Sequence, residues 1–240
     1  MQTYRLLIFL AVWKRPEITE ICFMGIERLK KYGLFPIEAF AIISEESMIP
    51  LCEKYNIKYC MYKNEPLGEK KNYGISQALK LEWDYLIEIG SDDLLYNKYL
   101  DEIKPHLGKP WFGINHVVYI NSEDGACRRF GTKRPFGMGR AISRKTVEAL
   151  HPMWNNLINK GLDNDASFFM ATRGVLGFQI RTDYPLGVDI KSKTNIWAFN
   201  YLVGVPHEIN EVFEKLSEQE INAIECLITK NKSADLIGRS

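Results

Sequence analysis

The sequence predicts an α/β fold: a mostly parallel, Rossmann-like sheet flanked by helices, followed by a mixed subregion. Three observations predict it. Four short apolar stretches, Leu6–Trp13, Ile37–Ile43, Ile57–Met61 and Tyr85–Ile89, have strand length, the pattern of strands covered on both faces. Segments with apolar residues at helical spacing lie between them. The connections are short, as right-handed βαβ units require.

Each element has its own reason. The first strand runs out at Lys14-Arg15-Pro16, and a proline suits the first turn of a helix, where its missing N–H costs little. Ile18, Ile21, Cys22, Ile26 and Leu29 then repeat at helical spacing, and Gly33 is a stop. After the second strand, Ser44-Glu45-Glu46-Ser47 opens a short helix towards Asn56. A helix from Glu69 to Leu81 follows the third strand and carries Ile75, Ala78 and Leu79 on one face. The Tyr85 strand ends at a Gly-Ser turn signal. A helix around Lys98–His106, a strand over Phe112–Ile120 and a hairpin turn at Asp124-Gly125 come next. Ser143 is placed to cap a helix through Leu150, and Asp163 another through Thr172. Phe178–Tyr184 reads as a further strand, and Ser217-Glu218-Gln219-Glu220 matches a capping box ahead of Ile221, Ile224 and Leu227.

With 240 residues, 46% hydrophobic and 25% charged, the chain is able to bury a real core as one domain. Its net charge of +1 supplies no global field to recruit nucleic acid or anionic membrane. The five cysteines form no Cys-x-x-Cys pair, which argues against a zinc site or disulfide framework and for a reducing compartment. The apolar run from Leu6 to Trp13 is too short to span a bilayer and lacks a small-residue cleavage site, so a cytoplasmic protein without a transmembrane segment is expected.

The chemistry concentrates where the first four strands end. Asp92 and Asp93 follow the Tyr85 strand at once. Ligands of open α/β sheets gather at carboxyl strand ends, and adjacent carboxylates repel unless a cation joins them. A hard divalent cation, Mn²⁺ or Mg²⁺, suits such oxygens together with substrate phosphates. Trp13 and Arg15 at the exit of the first strand are candidates to stack on a base and reach a phosphate. Glu45 follows the second strand, where a ribose or base contact is often made. The run Gly68-Glu69-Lys70-Lys71-Asn72-Tyr73-Gly74 opens a helix whose lysines and N-terminus suit a diphosphate. Neither Gly-x-Gly-x-x-Gly nor a Walker A loop is present. From Ala126 to Val147 there are seven bases and no acid, with Gly137-Met138-Gly139 as a flexible loop signal. That segment, Arg140 included, is a candidate to close over a diphosphate or to hold an anionic acceptor.

Taken together, the basic residue and proline after the first strand, the Gly68–Gly74 helix and the strand ending in Ser91-Asp92-Asp93 resemble a GT-A glycosyltransferase, in particular the inverting family 2 group. The resemblance covers the first hundred residues best. It implies a GT-A-like fold, with residues 1–110 as the nucleotide-sugar half, 111–206 as the acceptor and catalytic half, and 207–240 as C-terminal helices and tail. It implies a hexosyltransferase-like enzyme that binds a nucleotide-sugar donor and a glycan, glycolipid or other hydroxyl acceptor. In that family the acid motif is Asp-x-Asp, and Asp92 matches its usual metal ligand, with Asp93 and Ser91 beside it. Gly90 stands where the first acid would be. An acid at a helix start in the second half acts as catalytic base, which points to Asp163, with Asp165 as the other choice. A late histidine completes the metal shell in some members, which points to His207; Val188-Asp189-Ile190-Lys191 is a further candidate segment. Two other readings stay open: nucleotidyl transfer, and a glycan- or nucleic-acid-binding module that keeps the fold without the chemistry.

Overall fold

The computed structural model describes residues 3–195 and 199–237. The first half alternates as β1 (Leu6–Val12), α1 (Pro16–Tyr32), β2 (Ile37–Ile43), α2 (Ile49–Lys54), β3 (Lys58–Met61), α3 (Leu67–Ala78) and β4 (Tyr85–Gly90). The second half continues with β5 (Asp93–Leu95), α4 (Asn97–Ile103), β6 (Trp111–Ile114), β7 (His116–Asn121), β8 (Cys127–Gly131), β9 (Arg140–Ser143), α5 (Arg144–Leu150), α6 (Leu162–Thr172), β10 (Phe178–Ile180), β11 (Gly187–Lys191), β12 (Val205–His207), α7 (Ile209–Phe213) and α8 (Glu218–Ile237).

Seven strands form one sheet in the order β10-β6-β9-β4-β1-β2-β3. Strands β3, β2, β1 and β4 are parallel, whereas β9 runs antiparallel to both β4 and β6. Strand order reverses between β1 and β4, which makes their carboxyl ends the crevice where such sheets take ligands. The β1 side chains alternate between two cores. Leu6, Ile8, Leu10 and Val12 meet Phe23, Ile26 and Leu29 of α1, and Leu7 and Phe9 meet Ile75 and Ala78 of α3. Gly74 lets α3 approach, because a Cβ there would stand 2.9 Å from the Phe9 ring.

Five strands form a second sheet, β12-β8-β7-β11-β5. Its apolar face packs Leu94, Val118, Ile120, Val188 and Ile190 against Ile18 and Ile21 of α1 and Ile224, Leu227 and Ile228 of α8. No helix among the described residues is long and apolar enough to cross a membrane.

The expected strand over Phe112–Ile120 is two strands in two different sheets. The break falls at Asn115, whose carbonyl accepts from the Thr132 amide at 2.9 Å and whose Oδ1 accepts from the Thr182 amide at 3.1 Å. These bonds satisfy the backbone where the chain leaves one sheet for the other, a demand that apolar pattern does not reveal. Thr182 belongs to this junction, so the expected strand Phe178–Tyr184 is confined to β10. The basic stretch after Ala126 is largely β8, β9 and α5 rather than one loop.

The C-terminal capping box forms as read. The Ser217 amide and hydroxyl donate to Glu220 Oε2 at 2.7 and 2.6 Å. The same carboxylate, fully buried, meets Arg28 of α1 at 2.7 Å. Removing one partner of a buried pair leaves the other charge uncompensated. Glu220→Ala is therefore expected to lose about 3 to 5 kcal/mol in chemical denaturation; an unshifted midpoint would show that this pair does not anchor α8.

Candidate active site

A cavity of about 740 Å³ opens at the carboxyl ends of β1 and β4 and extends to β11 and the start of α6. At the β1 exit, Lys14 and Arg15 both lie in the left-handed region, with φ of 55° and 54°. Each such residue costs roughly 1 to 2 kcal/mol when it carries a side chain. The conformation is held by polar bonds: Glu45 accepts the Lys14 amide at 3.0 Å, and Arg15 donates to Asp92 Oδ2 at 2.9 Å and to Ser91 Oγ at 3.1 Å.

The turn after β4 closes on itself. The Gly90 amide donates to Asp93 Oδ2. A Cβ at Gly90 would stand 2.5 Å from Asp92 Oδ1 and 3.0 Å from Asp93 Oδ2. The glycine in place of a first acid is thus what this acid pair requires in order to fold back. The antiparallel pairing of β5 with β11 sets Asp189 opposite Asp93. Asp92, Asp93 and Asp189 each offer an oxygen within 4.8 Å of the others.

Two cations and an amide serve these three carboxylates. Besides Arg15 on Asp92, Lys191 lies 2.5 Å from Asp189 Oδ2, and Asn195 donates to Asp92 Oδ2 at 2.5 Å. Burial disfavours the charge on Asp92, but Arg15 and then Lys191 outweigh it and hold this carboxyl below the usual range. Burial pushes Asp93 well up, and repulsion from Asp189 and Asp92 adds to it. Burial likewise raises Asp189 to about 6 against the pull of Lys191. Asp189 Oδ1 is buried without a hydrogen-bond partner. An under-neutralised oxygen cluster with an orphaned acceptor fits a hard divalent cation.

The structure commits several expected ligands elsewhere. Lys70 and Lys71 line the cavity, yet Lys70 donates to the Val12 carbonyl at 2.6 Å and to Asn64 Oδ1 at 3.2 Å, and Lys71 is bound to Glu88. The first amides of α3 are also taken, Leu67 by Asn159 Oδ1 at 2.7 Å and Gly68 by the Ile158 carbonyl at 3.1 Å. Asn72 pins the loop before α6, donating to the Trp154 carbonyl at 2.7 Å and accepting the Met153 and Trp154 amides. Glu45 acts through the Lys14 backbone. Of the seven bases after Ala126, Arg128 caps the Leu202 carbonyl and Arg144 those of Leu79 and Leu81, and Arg140 is fully buried. The cations that line the cavity from its rim are instead Lys14, over the Trp13 ring at 4.3 Å, and the exposed Lys160.

Asp163 lines the cavity from the first turn of α6. It is not the cap of that helix: Gly161 is, at φ 74°, and the Asp163 carboxylate turns towards Arg140 Nη2 at 3.5 Å. Asp165 accepts the Asn155 amide at 2.9 Å and is not among the lining residues. His207 is a correction. It lies on β12, at the opposite edge of the second sheet from β5, four strand spacings or about 19 Å away, with Glu211 at 3.7 Å as its acidic neighbour. Asp189 supplies the third ligand-type group beside Asp92 and Asp93.

The sequence pattern does not single out Glu88, Asn195 or Lys160, and it offers Asp189 and Lys191 only within a candidate segment. Glu88 did leave a signal: it is the one charged residue inside the apolar strand Tyr85–Gly90.

A parallel β1–β4 core with an inserted antiparallel β9, a small second sheet and acids at the β4 exit define a GT-A-like fold. Solved structures bear this out. S. aureus TarS 1–349 is similar at TM-score 0.52 and 12% identity over 78% of this chain and 60% of that one. The Pyrobaculum calidifontis mannosyltransferase PcManGT, in complex with GDP-Man and Mn²⁺, is similar at TM-score 0.51 and 13% identity over 81% and 59%. A mycobacterial protein is similar at TM-score 0.52 and 12% identity over 80% and 69%. This chain therefore spans about three fifths of the length of the first two, and the likeness is one of fold. No family model and no curated protein matches the sequence.

The buried Lys70 gives the site a pH signature that needs no ligand. Burial lowers its ammonium to about 8, with Glu45 opposing. A lysine depressed in the folded state costs stability while charged, and that cost is relieved as pH rises from the folded value towards the unfolded one, near about 10.4. The melting temperature of the wild type should therefore gain on that of Lys70→Met between about pH 7.5 and about pH 10. Parallel pH profiles would show that Lys70 is not charged and desolvated in the fold.

Proposed function

We propose that this chain is a glycosyltransferase that moves a sugar from a nucleoside-diphosphate sugar to an acceptor hydroxyl with inversion, using a divalent cation. One observation supports this most directly. Asp92, Asp93 and Asp189 converge within 4.8 Å at the strand-order reversal of a GT-A-like sheet, inside a cavity of about 740 Å³. Nucleotide-sugar and metal complexes of similarly folded proteins, TarS with UDP and PcManGT with GDP-Man and Mn²⁺, agree with that reading.

In this reading Asp92, Asp93 and Asp189 would hold Mn²⁺ or Mg²⁺, which would supply positive charge for a departing diphosphate. Arg15 and Lys191 flank the same position and add fixed positive charge. Lys14 and Lys160 face it from the rim, and Trp13, 37% exposed, offers a ring for the base. Asp163, which lines the cavity from α6, takes the acceptor proton as the bond forms.

A thermal-shift panel of UDP, GDP, UDP-glucose and GDP-mannose with and without Mn²⁺ tests the donor site. A ligand at a hundredfold excess over its Kd stabilises by about 2.7 kcal/mol, so one nucleotide should raise the melting temperature strongly with Mn²⁺ and weakly without it. Asp92→Asn and Asp189→Asn should each remove the Mn²⁺-dependent part. Equal stabilisation without metal, or retention of the effect in both variants, would dismiss the carboxylate site. Release of pyrophosphate from a nucleoside triphosphate, in place of nucleoside diphosphate from a nucleotide sugar, would replace glycosyl by nucleotidyl transfer.

A further inference from the structure

At the cavity wall, four charged side chains from four elements are linked in series: Lys71 of α3, Glu88 of β4, Arg140 of β9 and Asp163 of α6. Glu88 is 3% exposed and Arg140 fully buried. The Arg140 fork is used on both sides. Its Nε and Nη2 reach Glu88 Oε2 at 3.0 and 2.6 Å. Its Nη1 donates to the Asp163 carbonyl at 2.8 Å and to Ser167 Oγ at 3.1 Å, while Nη2 lies 3.5 Å from Asp163 Oδ1. A strut that merely neutralised Glu88 would need none of the α6 contacts.

A second neighbour of Asp163 is shaped as well. A Cβ on Gly137 would stand 2.2 Å from the Asp163 carboxylate carbon. The loop that carries Gly137 is tied to the same strand residue, because the Gly139 amide donates to the Glu88 carbonyl at 2.8 Å. The Asp163 side chain is 57% exposed, and a carboxylate so exposed ordinarily samples several rotamers. Here it lies against a guanidinium and a bare backbone.

We propose that Arg140 is a positioning residue, and Gly137 its counterpart, which together fix the Asp163 carboxylate at the cavity mouth for proton transfer. Glu88 in turn holds the guanidinium. This rests on the reading of Asp163 as the base. Lys71, bound to the other Glu88 oxygen, ties the donor-side helix α3 into the same series. The geometry of the base is thereby coupled to the wall against which the donor binds.

The test uses whichever of UDP-glucose and GDP-mannose stabilises the wild type with Mn²⁺, and reads donor turnover with water as acceptor beside calorimetric binding of the matching diphosphate. Gly137→Ala adds one methyl on a loop, at a position without positive φ, and leaves every charge in place. It is expected to lower kcat by about 100-fold, the loss that an ångström of misplacement brings, with diphosphate affinity unchanged. Arg140→Met should do the same, and Arg140→Lys should recover part of the loss by restoring charge without the fork. Full turnover in Gly137→Ala, or a loss of diphosphate affinity as large as the loss of kcat, overturns the proposal; should Arg140→Met fail to fold, Gly137→Ala decides alone. Asp163→Asn separates the two readings. Retained turnover there removes the base and this proposal with it, whereas an inactive Asp163→Asn beside a fully active Gly137→Ala removes the positioning alone. A wild type that responds to neither donor removes the transferase reading itself.

Discussion

A carboxylate near the carboxyl end of a parallel strand, buried in the wall of a cavity, stays ionised only if cations come to it. Glu88 has two. Burial alone would push its carboxyl up, but Arg140 and Lys71 outweigh that and hold it below the usual range. Each uncompensated buried ion costs several kcal/mol, so removal of either partner penalises the fold. The acid comes from β4, and its cations come from α3 and β9, on different sides of the strand. One electrostatic requirement therefore fixes three elements around the cavity. Two cations against one carboxylate leave an excess positive charge, and Asp163 on α6 balances it through Arg140.

The carboxylates at the β4 exit and on β11 are in the opposite condition. Asp92, Asp93 and Asp189 share Arg15 and Lys191 and repel one another, so burial and mutual repulsion raise Asp93 and Asp189. Groups so close titrate as a set rather than one by one. Glu88 is a completed ion pair that stabilises architecture, and the aspartate trio is an incomplete one that favours an additional cation. Two consecutive left-handed residues at the β1 exit place Arg15 within reach of that trio. Strain of this kind persists only where surrounding bonds over-determine it, and it collects at functional sites.

The parallel half of the fold was legible because buried strands and amphipathic helices write their periods directly into sequence. β2 runs over the expected residues, Gly33 closes α1, and Ser217–Glu220 forms its box. The second sheet was not legible. Its strands β5, β11 and β12 are three to five residues long, too short for a period to show. β6 and β7 read as one strand because nothing in apolar pattern distinguishes a chain that changes sheets at Asn115. Asp92, Asp93 and Asp163 line the cavity, and their places after a strand and at a helix start make them visible in the sequence. Glu88 is not, because it sits inside a strand, and only its partners from 17 and 52 residues away explain its charge. Lys70, Asn72 and Arg140 were noticed for the right polarity, but a sequence does not say whether a cation faces a cavity or a neighbouring carbonyl.

The aspartate trio depends finally on apolar residues that never touch it. Asp189 faces Asp93 because Val188 is paired with Leu94 in the adjacent register position. Val188 and Leu94 point to the other face of the sheet, into the core shared with α1 and α8. A one-residue slip of β11 would turn Asp189 into that core and Val188 into the cavity. Both outcomes are costly, so the hydrophobic face enforces the position of the acid. That face needs its cover, and α8 is held to α1 through Arg28 and the fully buried Glu220. Arg28 also donates to the Leu95 carbonyl at 2.9 Å, at the end of the strand that carries Asp93. The acids at the cavity are thus aligned from behind, by a helix that comes more than a hundred residues after Asp92 and Asp93 in the chain.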